Sequence, residues 1–254
     1  MSPELTKSPP IVAFEEVSPG VAQITMQDRE SKNAFSESLV RELMAQFASV
    51  SRDPRYKAVI LTGYDTYFSS GGTKAGLLAI HDRRTSFNAI NFYSVALDCE
   101  IPVISAMQGH GIGGGLVMGL FADFVIMSRE SYYTANFMRY GFTPGMGATY
   151  ILPKKLGFSL AHELLLNGGG YRGADLEKRG LPFPVLPRKD VLPQALELAK
   201  DLSEKPRLSL VMLKDHLVSE LRQQLPGVIA KELQMHEATF HQDEVKQRIL
   251  QMFP

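Results

Sequence analysis

The first third of the chain alternates apolar and polar residues in patterns that predict strands and one long helix. Segments 11–16 and 21–26 both alternate in side-chain polarity, and the Pro-Gly pair between them predicts a hairpin. Segment 36–50 begins with a serine cap and repeats apolar residues at helical spacing, so a helix is expected there. Segment 57–62 is a short apolar run, which predicts a buried strand leading into a glycine-rich loop that ends at Gly72.

The middle of the chain repeats this order around a second glycine-rich turn. An apolar run at 101–107 precedes Gln108-Gly-His-Gly-Ile-Gly-Gly-Gly-Leu116, and a helix signal at 116–121 and an apolar run at 124–127 follow. Glycine lets the backbone approach a ligand, and a helix that begins there directs free N–H groups at it. With the loop that ends at Gly72, this turn suits an oxyanion hole, in which one donor is worth about 3–4 kcal/mol of barrier. Two ordinary tight turns are the alternative.

The second half of the chain is expected to be mainly helical. A short strand is predicted at 131–135 and a loop at 141–147. Helices are predicted at 74–96 (one or two, with a polar break near 81–84), 148–156, 159–166, 172–178, 191–202, 206–221, 226–241 and 244–252. Strands first and helices last favour one α/β domain, with a loose tail at 1–10, a core at 11–190 and a C-terminal helical region at 191–254.

Composition and charge narrow the class of protein. The 254 residues contain 27 Lys plus Arg and 27 Asp plus Glu, so the formal net charge is zero, which argues against nucleic-acid binding. The single cysteine, Cys99, is expected in the core, and it suits a reducing compartment. No apolar run approaches the length of a membrane span, and segment 1–10 does not resemble a signal peptide. The sequence therefore indicates a soluble, cytoplasmic protein.

Two further motifs suggest other kinds of site, and neither matches its pattern closely. Gly109, Gly111 and Gly114 have the spacing of a dinucleotide-binding loop, but only about six residues precede the next strand, too few for the crossover helix of that fold. His236 and His241 lie about 140° apart around a helix, so they do not face a shared metal ion. The chain also lacks the Gly-x-Ser-x-Gly elbow of many triad hydrolases.

Several motifs together resemble the crotonase (enoyl-CoA hydratase/isomerase) superfamily over nearly the whole chain. They are Lys32-Asn-Ala-Phe35, Ala58-Val-Ile-Leu-Thr-Gly63, Phe68-Ser-Ser-Gly-Gly72, Gly113-Gly-Gly115 with Ala122-Asp123, and Gly141-Phe-Thr-Pro-Gly-Met-Gly147. The resemblance implies a ClpP/crotonase-like spiral of ββα repeats with a C-terminal helical trimerisation region. It also implies a homotrimer or dimer of trimers and an acyl-thioester substrate. The oxyanion hole is assigned to the N–H groups of Gly72 and Gly114, and Ser70 and Gly71 are assigned to substrate binding.

The chain departs from the hydratases of this family at both catalytic glutamates. Val117 and Phe137 occupy the corresponding positions. Because neither side chain can activate water or transfer a proton, we do not expect hydration, nor a double-bond isomerisation that uses the second glutamate. Both residues are instead expected to line an apolar substrate pocket.

One branch of the superfamily is especially similar, namely the decarboxylating homologue of polyketide β-branching cassettes that contain an HMG-CoA synthase. The similar segments are Met107-Gln-Gly-His-Gly-Ile-Gly-Gly-Gly115, Tyr133-Thr-Ala-Asn-Phe-Met-Arg-Tyr-Gly-Phe-Thr-Pro144, Tyr171-Arg-Gly-Ala-Asp175 and Met235-His-Glu-Ala-Thr-Phe-His241. The resemblance implies decarboxylation of 3-methylglutaconyl-acyl carrier protein to the 3-methylcrotonyl thioester through a dienolate. It also implies that His236 is catalytic.

The same branch uses a lysine in the segment that follows the first oxyanion loop, and here Ser86 aligns with it. Lys74, Arg83 and Arg84 are nearby candidates for the cation that binds the substrate carboxylate. No metal or organic cofactor is expected, because the phosphopantetheine thioester itself accepts the electrons.

Alternatives remain at this stage. They are other acyl-thioester chemistry, such as isomerisation or hydrolysis, a non-catalytic scaffold for the carrier protein, and a dinucleotide-dependent oxidoreductase. Basic residues that are candidates to meet the carrier are Lys154, Lys155, Lys178 and Arg179.

Overall fold

The computed structural model describes residues 10–87 and 89–253. Its strands are β1 (Val12–Ser18), β2 (Val21–Met26), β3 (Ala58–Thr62), β4 (Tyr67–Ser69), β5 (Val103–Met107), β6 (His110–Ile112), β7 (Phe124–Ser128), β8 (Tyr132–Thr134), β9 (Gly170–Arg172) and β10 (Val185–Leu186). Its helices are α1 (Glu37–Arg52), α2 (Lys74–His81), α3 (Val95–Asp98), α4 (Gly114–Leu120), α5 (Ala148–Leu156), α6 (Phe158–Asn167), α7 (Gly173–Lys178), α8 (Arg188–Ser203), α9 (Arg207–Thr239) and α10 (Asp243–Met252), and a 3₁₀ turn spans Asn136–Tyr140.

The strands form two sheets, and the chain passes between them repeatedly. The larger sheet has the order β1-β2-β3-β5-β7-β10, in which the β1–β2 hairpin is antiparallel and the remaining neighbours are parallel. The smaller sheet has the order β4-β6-β8-β9. Since β3, β5 and β7 each lead into a strand of the smaller sheet, the chain winds as a spiral of two-strand repeats.

The sequence predicted the hairpin, β3, β5, β7 and β8, but it assigned β4 and β6 to glycine-rich loops, which is wrong. Both strands have three residues and lie within glycine-rich segments, so neither shows the alternating run that identifies a strand. They form because parallel pairing to neighbouring strands satisfies their backbone groups.

The central strands of the larger sheet are buried on both faces. All five residues of β3 and all five of β5 are buried, which is typical of a parallel sheet covered by helices. Helix α8 covers one face by placing Val191, Ala195 and Ala199 against Ile60 and Ile104. The helix begins before the predicted boundary at residue 190, and the division into a core and a C-terminal region stays a prediction.

Helix α1 confirms the predicted cap, because Ser36 Oγ accepts a hydrogen bond from the Leu39 N–H at 3.2 Å. Helix α4 has only seven residues, all buried. Of the one or two helices predicted within 74–96, α2 is confirmed, and between α2 and β5 the described residues form one further helix, the four-residue α3.

The two helices predicted at 206–221 and 226–241 are in fact one helix of 33 residues, α9. Pro226 lies inside it and removes one backbone donor, a change that costs about 3 kcal/mol in a helix interior. Buried residues on both sides of the proline hold the helix together: Lys214, Val218 and Leu225 precede it, and Glu232 and His236 follow. Of the helices described, none combines the length and apolar character needed to cross a membrane.

Candidate active site

The two predicted oxyanion loops lie in contact. Gly71 has φ +82° and Gly113 has φ +54°, conformations that favour glycine. A Cβ placed on Gly71 would lie 2.5 Å from the Ile112 carbonyl oxygen and 3.3 Å from the Gly114 nitrogen. The chain ahead of α4 therefore passes directly beside the loop after β4, at a distance that only glycine permits.

Hydrogen bonds fix both loops and leave the two predicted donors available. The Phe35 N–H donates to the Gly71 carbonyl at 2.7 Å, and the Gly113 N–H donates to the Thr134 carbonyl at 2.8 Å. Gly114 is the first residue of α4, so its N–H has no acceptor within the helix. Across the described ranges, neither Gly72 nor Gly114 donates its N–H to another protein group. The arrangement supports an oxyanion hole formed by these two amides.

The walls beside Gly114 are apolar. A Cβ on Gly114 would lie 2.7 Å from both Met146 Sδ and Phe35 Cε2, so not even a methyl group fits without displacing them. Val117, one helical turn after Gly114, is fully buried, and Phe137 is 4% exposed. The two positions that carry glutamates in hydratases of the family are therefore apolar and buried here.

His236 lies on the buried face of α9 inside an aromatic cluster. Its Nε2–H donates to the Thr143 carbonyl at 2.8 Å, and its Nδ1 is buried without a partner among the described residues. Burial lowers the pKa of His236, and the carbonyls of Thr143 and Pro144 only partly oppose this effect. The imidazole is therefore neutral near pH 7. The rings within 6.5 Å of it, between centroids, are Phe87, Phe142 and Phe240.

One short turn joins His236 to the oxyanion loops. A Cβ on Gly145 would lie 2.5 Å from His236 Cε1, and the next residue, Met146, packs on Gly114. A small cleft opens between the turn and α9, and it is lined by Phe87, Tyr93, Gly145, Met146, Ile229, Glu232, Leu233 and His236. The fold thus brings Gly145 beside His236 and the next residue, Met146, beside Gly114.

The candidate cations lie outside this cleft. Lys74 Nζ donates to the carbonyls of Leu250 and Phe253, at 3.3 and 3.2 Å, so it caps the end of the chain. Arg83 forms an exposed ion pair with Glu237, and Arg84 lies 3.5 Å from Asp82.

Ser86 is exposed and immediately precedes Phe87, whose ring is 4.6 Å from that of His236. Ser70 lies at the mouth of the first loop, where its N–H donates to the Lys32 carbonyl at 3.1 Å. The substrate-binding roles assigned to Ser70, Gly71, Ser86, Val117 and Phe137 stay predictions.

The other motifs do not form sites. His236 faces the cleft, whereas His241 lies beyond the end of α9 and its Nδ1 is 2.8 Å from the His81 carbonyl. No group of three or more His, Cys, Asp or Glu side chains within 10–87 and 89–253 could hold a metal ion. Cys99 is buried as predicted, and burial raises the pKa of its thiol.

Sequence reasoning missed several residues of the cleft, chiefly Tyr93, Met146 and Glu232. Glu232 precedes His236 by four residues, so both lie on one face of a helix, and this spacing was a usable signal. The sequence gives no such signal for Met146, because its role depends on contacts with residues distant in sequence.

Comparison with known proteins gives consistent matches. The family model for enoyl-CoA hydratase/isomerase matches residues 16–254. The chain is 67% identical over 239 residues to the bacillaene synthase decarboxylase PksI of Bacillus subtilis (strain 168), which covers 94% of this chain and 96% of that protein.

Two solved structures are also similar. One belongs to a study of a dehydratase/decarboxylase enzyme couple involved in polyketide β-branching; it has a TM-score of 0.95 at 66% identity and covers 96% of this chain and 99% of its own. The other is the ECH2 decarboxylase domain of CurF from Lyngbya majuscula, with a TM-score of 0.92 at 47% identity, covering 96% and 100%. These likenesses confirm the predicted α/β crotonase spiral. The chain belongs to the enoyl-CoA hydratase/isomerase family.

Proposed function

We propose that the protein decarboxylates 3-methylglutaconyl-acyl carrier protein to 3-methylcrotonyl-acyl carrier protein in polyketide β-branching. The proposal rests on two N–H groups, of Gly72 and Gly114, that have no protein acceptor among the described residues. Near them lie Val117 and Phe137 in place of carboxylates and a buried His236 whose pKa is lowered by burial. The 67% identity to a bacillaene synthase decarboxylase supports the same reaction class.

The hole supplies the electrostatic part of the reaction. With the thioester carbonyl oxygen between the N–H groups of Gly72 and Gly114, the bond to the carboxylate carbon breaks and CO₂ leaves. The electron pair of that bond passes through the conjugated double bond to the thioester oxygen and gives a dienolate. Donors placed where this negative charge develops stabilise the transition state more than the ground state. The thioester is the electron sink, so we propose that the reaction needs no metal or organic cofactor.

The apolar side chains around the site also favour the loss of CO₂. A carboxylate holds its charge on two oxygen atoms and depends strongly on hydration, whereas the dienolate spreads its charge along a conjugated system. Met146, Phe35, Val117 and Phe137 provide little hydration for the carboxylate. Their contribution is to raise the free energy of the ground state relative to that of the transition state.

His236 can manage the proton that the product requires. Its Nδ1 lone pair has no partner among the described residues, while Nε2–H is fixed by Thr143. A substrate carboxylate beside Nδ1 raises the pKa of the imidazole, so that Nδ1 takes up a proton. After CO₂ departs, Nδ1–H returns this proton to the terminal carbon of the dienolate and forms the second methyl group of the product.

The cation that binds the substrate carboxylate is assigned to the segment between α2 and Phe87. Because Lys74 caps the end of the chain, Arg83 and Arg84 remain the candidate cations in that segment. Arg83 is paired to Glu237, the residue that follows His236, which supports Arg83 as the cation that binds the substrate carboxylate.

The assembly and the partner are also part of the proposal. Helix α9 exposes large apolar side chains along its first half, which supports a homotrimer or dimer of trimers; these side chains are Leu208, Met212, Leu213 and Leu217. Of the basic residues suggested for carrier docking, Lys155 donates a hydrogen bond to the Ala122 carbonyl at 2.7 Å. Lys154 and Lys178 are exposed, so they remain the better candidates. A cytoplasmic location fits a carrier-bound substrate.

Intact-mass measurement of the loaded carrier tests the reaction. We expect the wild-type enzyme to convert the 3-methylglutaconyl carrier to a species lighter by one CO₂, and His236→Gln to do so far more slowly. A gain of one water would instead show hydration. An unchanged carrier with folded wild-type protein would contradict the proposal and favour a scaffold.

A further inference from the structure

Glu232 is a buried carboxylate to which the chemistry above assigns no role. It is 1% exposed, and no Lys, Arg or His of the described residues forms an ion pair with it. It accepts three hydrogen bonds, from the Gly147 N–H at 2.7 Å, the Thr149 N–H at 2.9 Å and the Thr149 hydroxyl at 2.6 Å. A buried charge is costly unless its partners compensate, so this carboxylate depends on holding those three donors.

One of these donors, the Gly147 N–H, belongs to a strained turn, and the other two belong to Thr149 in the first turn of α5. Met146 has φ +65° and Gly147 has φ +75°, two consecutive residues in the left-handed region. This conformation is unfavourable for a methionine and persists only when its surroundings enforce it. Glu232 holds the turn from the far side, because it binds the first free N–H groups of α5 and so acts as a cap supplied by another helix.

The same turn connects His236 to the loop at Gly114. Its Thr143 carbonyl accepts the Nε2–H of His236, Gly145 lies under the imidazole, and Met146 packs on Gly114. Glu232 and His236 are four residues apart on α9 and face the turn together. The helix therefore holds one end of the turn through Glu232 and the other end through His236.

We propose that Glu232 is a positioning residue for decarboxylation, because its carboxylate fixes the turn 143–147 that orients His236 and places Met146 over Gly114. The proposal rests on the proposed function for its kinetic consequence, but its structural consequence is independent of any activity. Burial also raises the pKa of Glu232, which agrees with a carboxylate whose only compensation is hydrogen bonding.

The test compares Glu232→Gln with Glu220→Gln. Glutamine keeps the shape of the side chain but offers an NH₂ group where the turn also presents N–H groups, so at least one donor loses its acceptor. Glu220 lies on the same helix, is exposed and accepts a hydrogen bond from Gln224, so its substitution controls for loss of charge on α9.

We expect Glu232→Gln to fold, to lower kcat by about 10- to 100-fold and to leave KM within about 3-fold, since small displacements of reacting groups have effects of this size. Glu220→Gln should match the wild type. If kcat per folded molecule is unchanged in Glu232→Gln, the positioning role is overturned. Glu232→Asp, which retains a carboxylate, should recover part of the lost kcat.

A second readout keeps this proposal separate from the proposed function. In protein labelled with ¹⁵N-histidine, the His236 signals, assigned by their loss in His236→Gln, should show a neutral ring protonated at Nε2 in the wild type. In Glu232→Gln, we expect this tautomer to be lost or mixed. Unchanged signals would overturn the inference even if activity fell. If the wild type does not decarboxylate the carrier, the proposed function fails, and the signals alone decide on Glu232.

Discussion

The size of single residues sets the space around the proposed oxyanion hole. At Gly114 an added methyl group would meet Met146 Sδ and Phe35 Cε2 at 2.7 Å, whereas at Gly72 it would meet only Leu77 side-chain atoms at 3.5–4.0 Å. The two amides have similar assigned roles, but a side chain at Gly114 has less space than one at Gly72. The same substitution should therefore have different effects at the two positions.

Gly114→Ala should lower kcat by about 10- to 100-fold, because it pushes Met146 or Phe35 into the space of the acyl group and shifts a donor whose removal costs about 100- to 1,000-fold. Gly72→Ala should cost much less. The measurement is steady-state kinetics of both variants on the carrier-bound substrate. Equal losses in both would show that crowding at Gly114 does not shape the pocket.

Because His236 titrates, its protonation makes the stability of the folded protein depend on pH. Burial lowers its pKa in the folded protein, whereas in the unfolded chain its pKa is about 6.5. Below about pH 6.5 the unfolded state therefore binds a proton that the folded state does not, and the contribution of this residue to stability falls as the pH decreases.

We predict that the wild type loses more stability than His236→Gln as the pH is lowered from about 7 to about 5.5, because only the wild type carries this titration. Urea denaturation of both proteins at each pH measures it. The same loss in both would mean that the imidazole of the folded protein is not held neutral.

At the scale of elements, the residue patterns predicted most of the fold. The helix cap at Ser36, the buried strands and the short α4 have local signals, and all are confirmed. Strands β4 and β6 and the continuity of α9 depend instead on pairing and packing with residues far away in sequence. The same difference applies to the site, because the glycines of the hole follow a motif, whereas Met146 and Glu232 are identified only by tertiary contacts.

Helix α9 tolerates Pro226 because packing on both sides outweighs the lost hydrogen bond. Pro226 is exposed, and its replacement restores a donor to the carbonyl of Arg222. We expect Pro226→Ala to raise the free energy of unfolding by up to about 3 kcal/mol.

The adjacent Gly227 has open space where a Cβ would stand, so Gly227→Ala should raise the free energy of unfolding by about 0.5–1 kcal/mol and serves as the matched control. Urea denaturation measures both. A less stable Pro226→Ala would show that α9 needs the bend that proline provides.

At the scale of the whole molecule, one buried ion pair ties α9 to the sheet. Lys214 Nζ lies 2.8 Å from Asp123 Oδ2 and donates to the carbonyls of Ala96 and Ile101 at 2.9 and 3.0 Å. The Asp123 carboxylate also accepts the N–H of Val103, the first residue of β5. The pair therefore connects the helix that carries His236 to the strand that leads into the oxyanion loop.

Lys214→Ala should lower the free energy of unfolding by about 3–5 kcal/mol, because it leaves the Asp123 carboxylate without its cation in a mostly buried place. Lys231→Ala, a change at an exposed lysine of the same helix, should alter stability by less than about 0.5 kcal/mol. Denaturation midpoints of the two variants provide the measurement. A small effect at Lys214 would mean that water replaces its contacts.

The proposed activity depends on one chemical event, the breaking of the bond between the substrate carboxylate and its neighbouring carbon. Carrier protein loaded with 3-methylglutaconyl labelled with ¹³C at the distal carboxylate, incubated with the enzyme in D₂O, reports this event directly. The account predicts one ¹³CO₂ released for each carrier consumed, with one deuterium in a methyl group of the 3-methylcrotonyl product. Consumption of the carrier with the label retained in the product would contradict it.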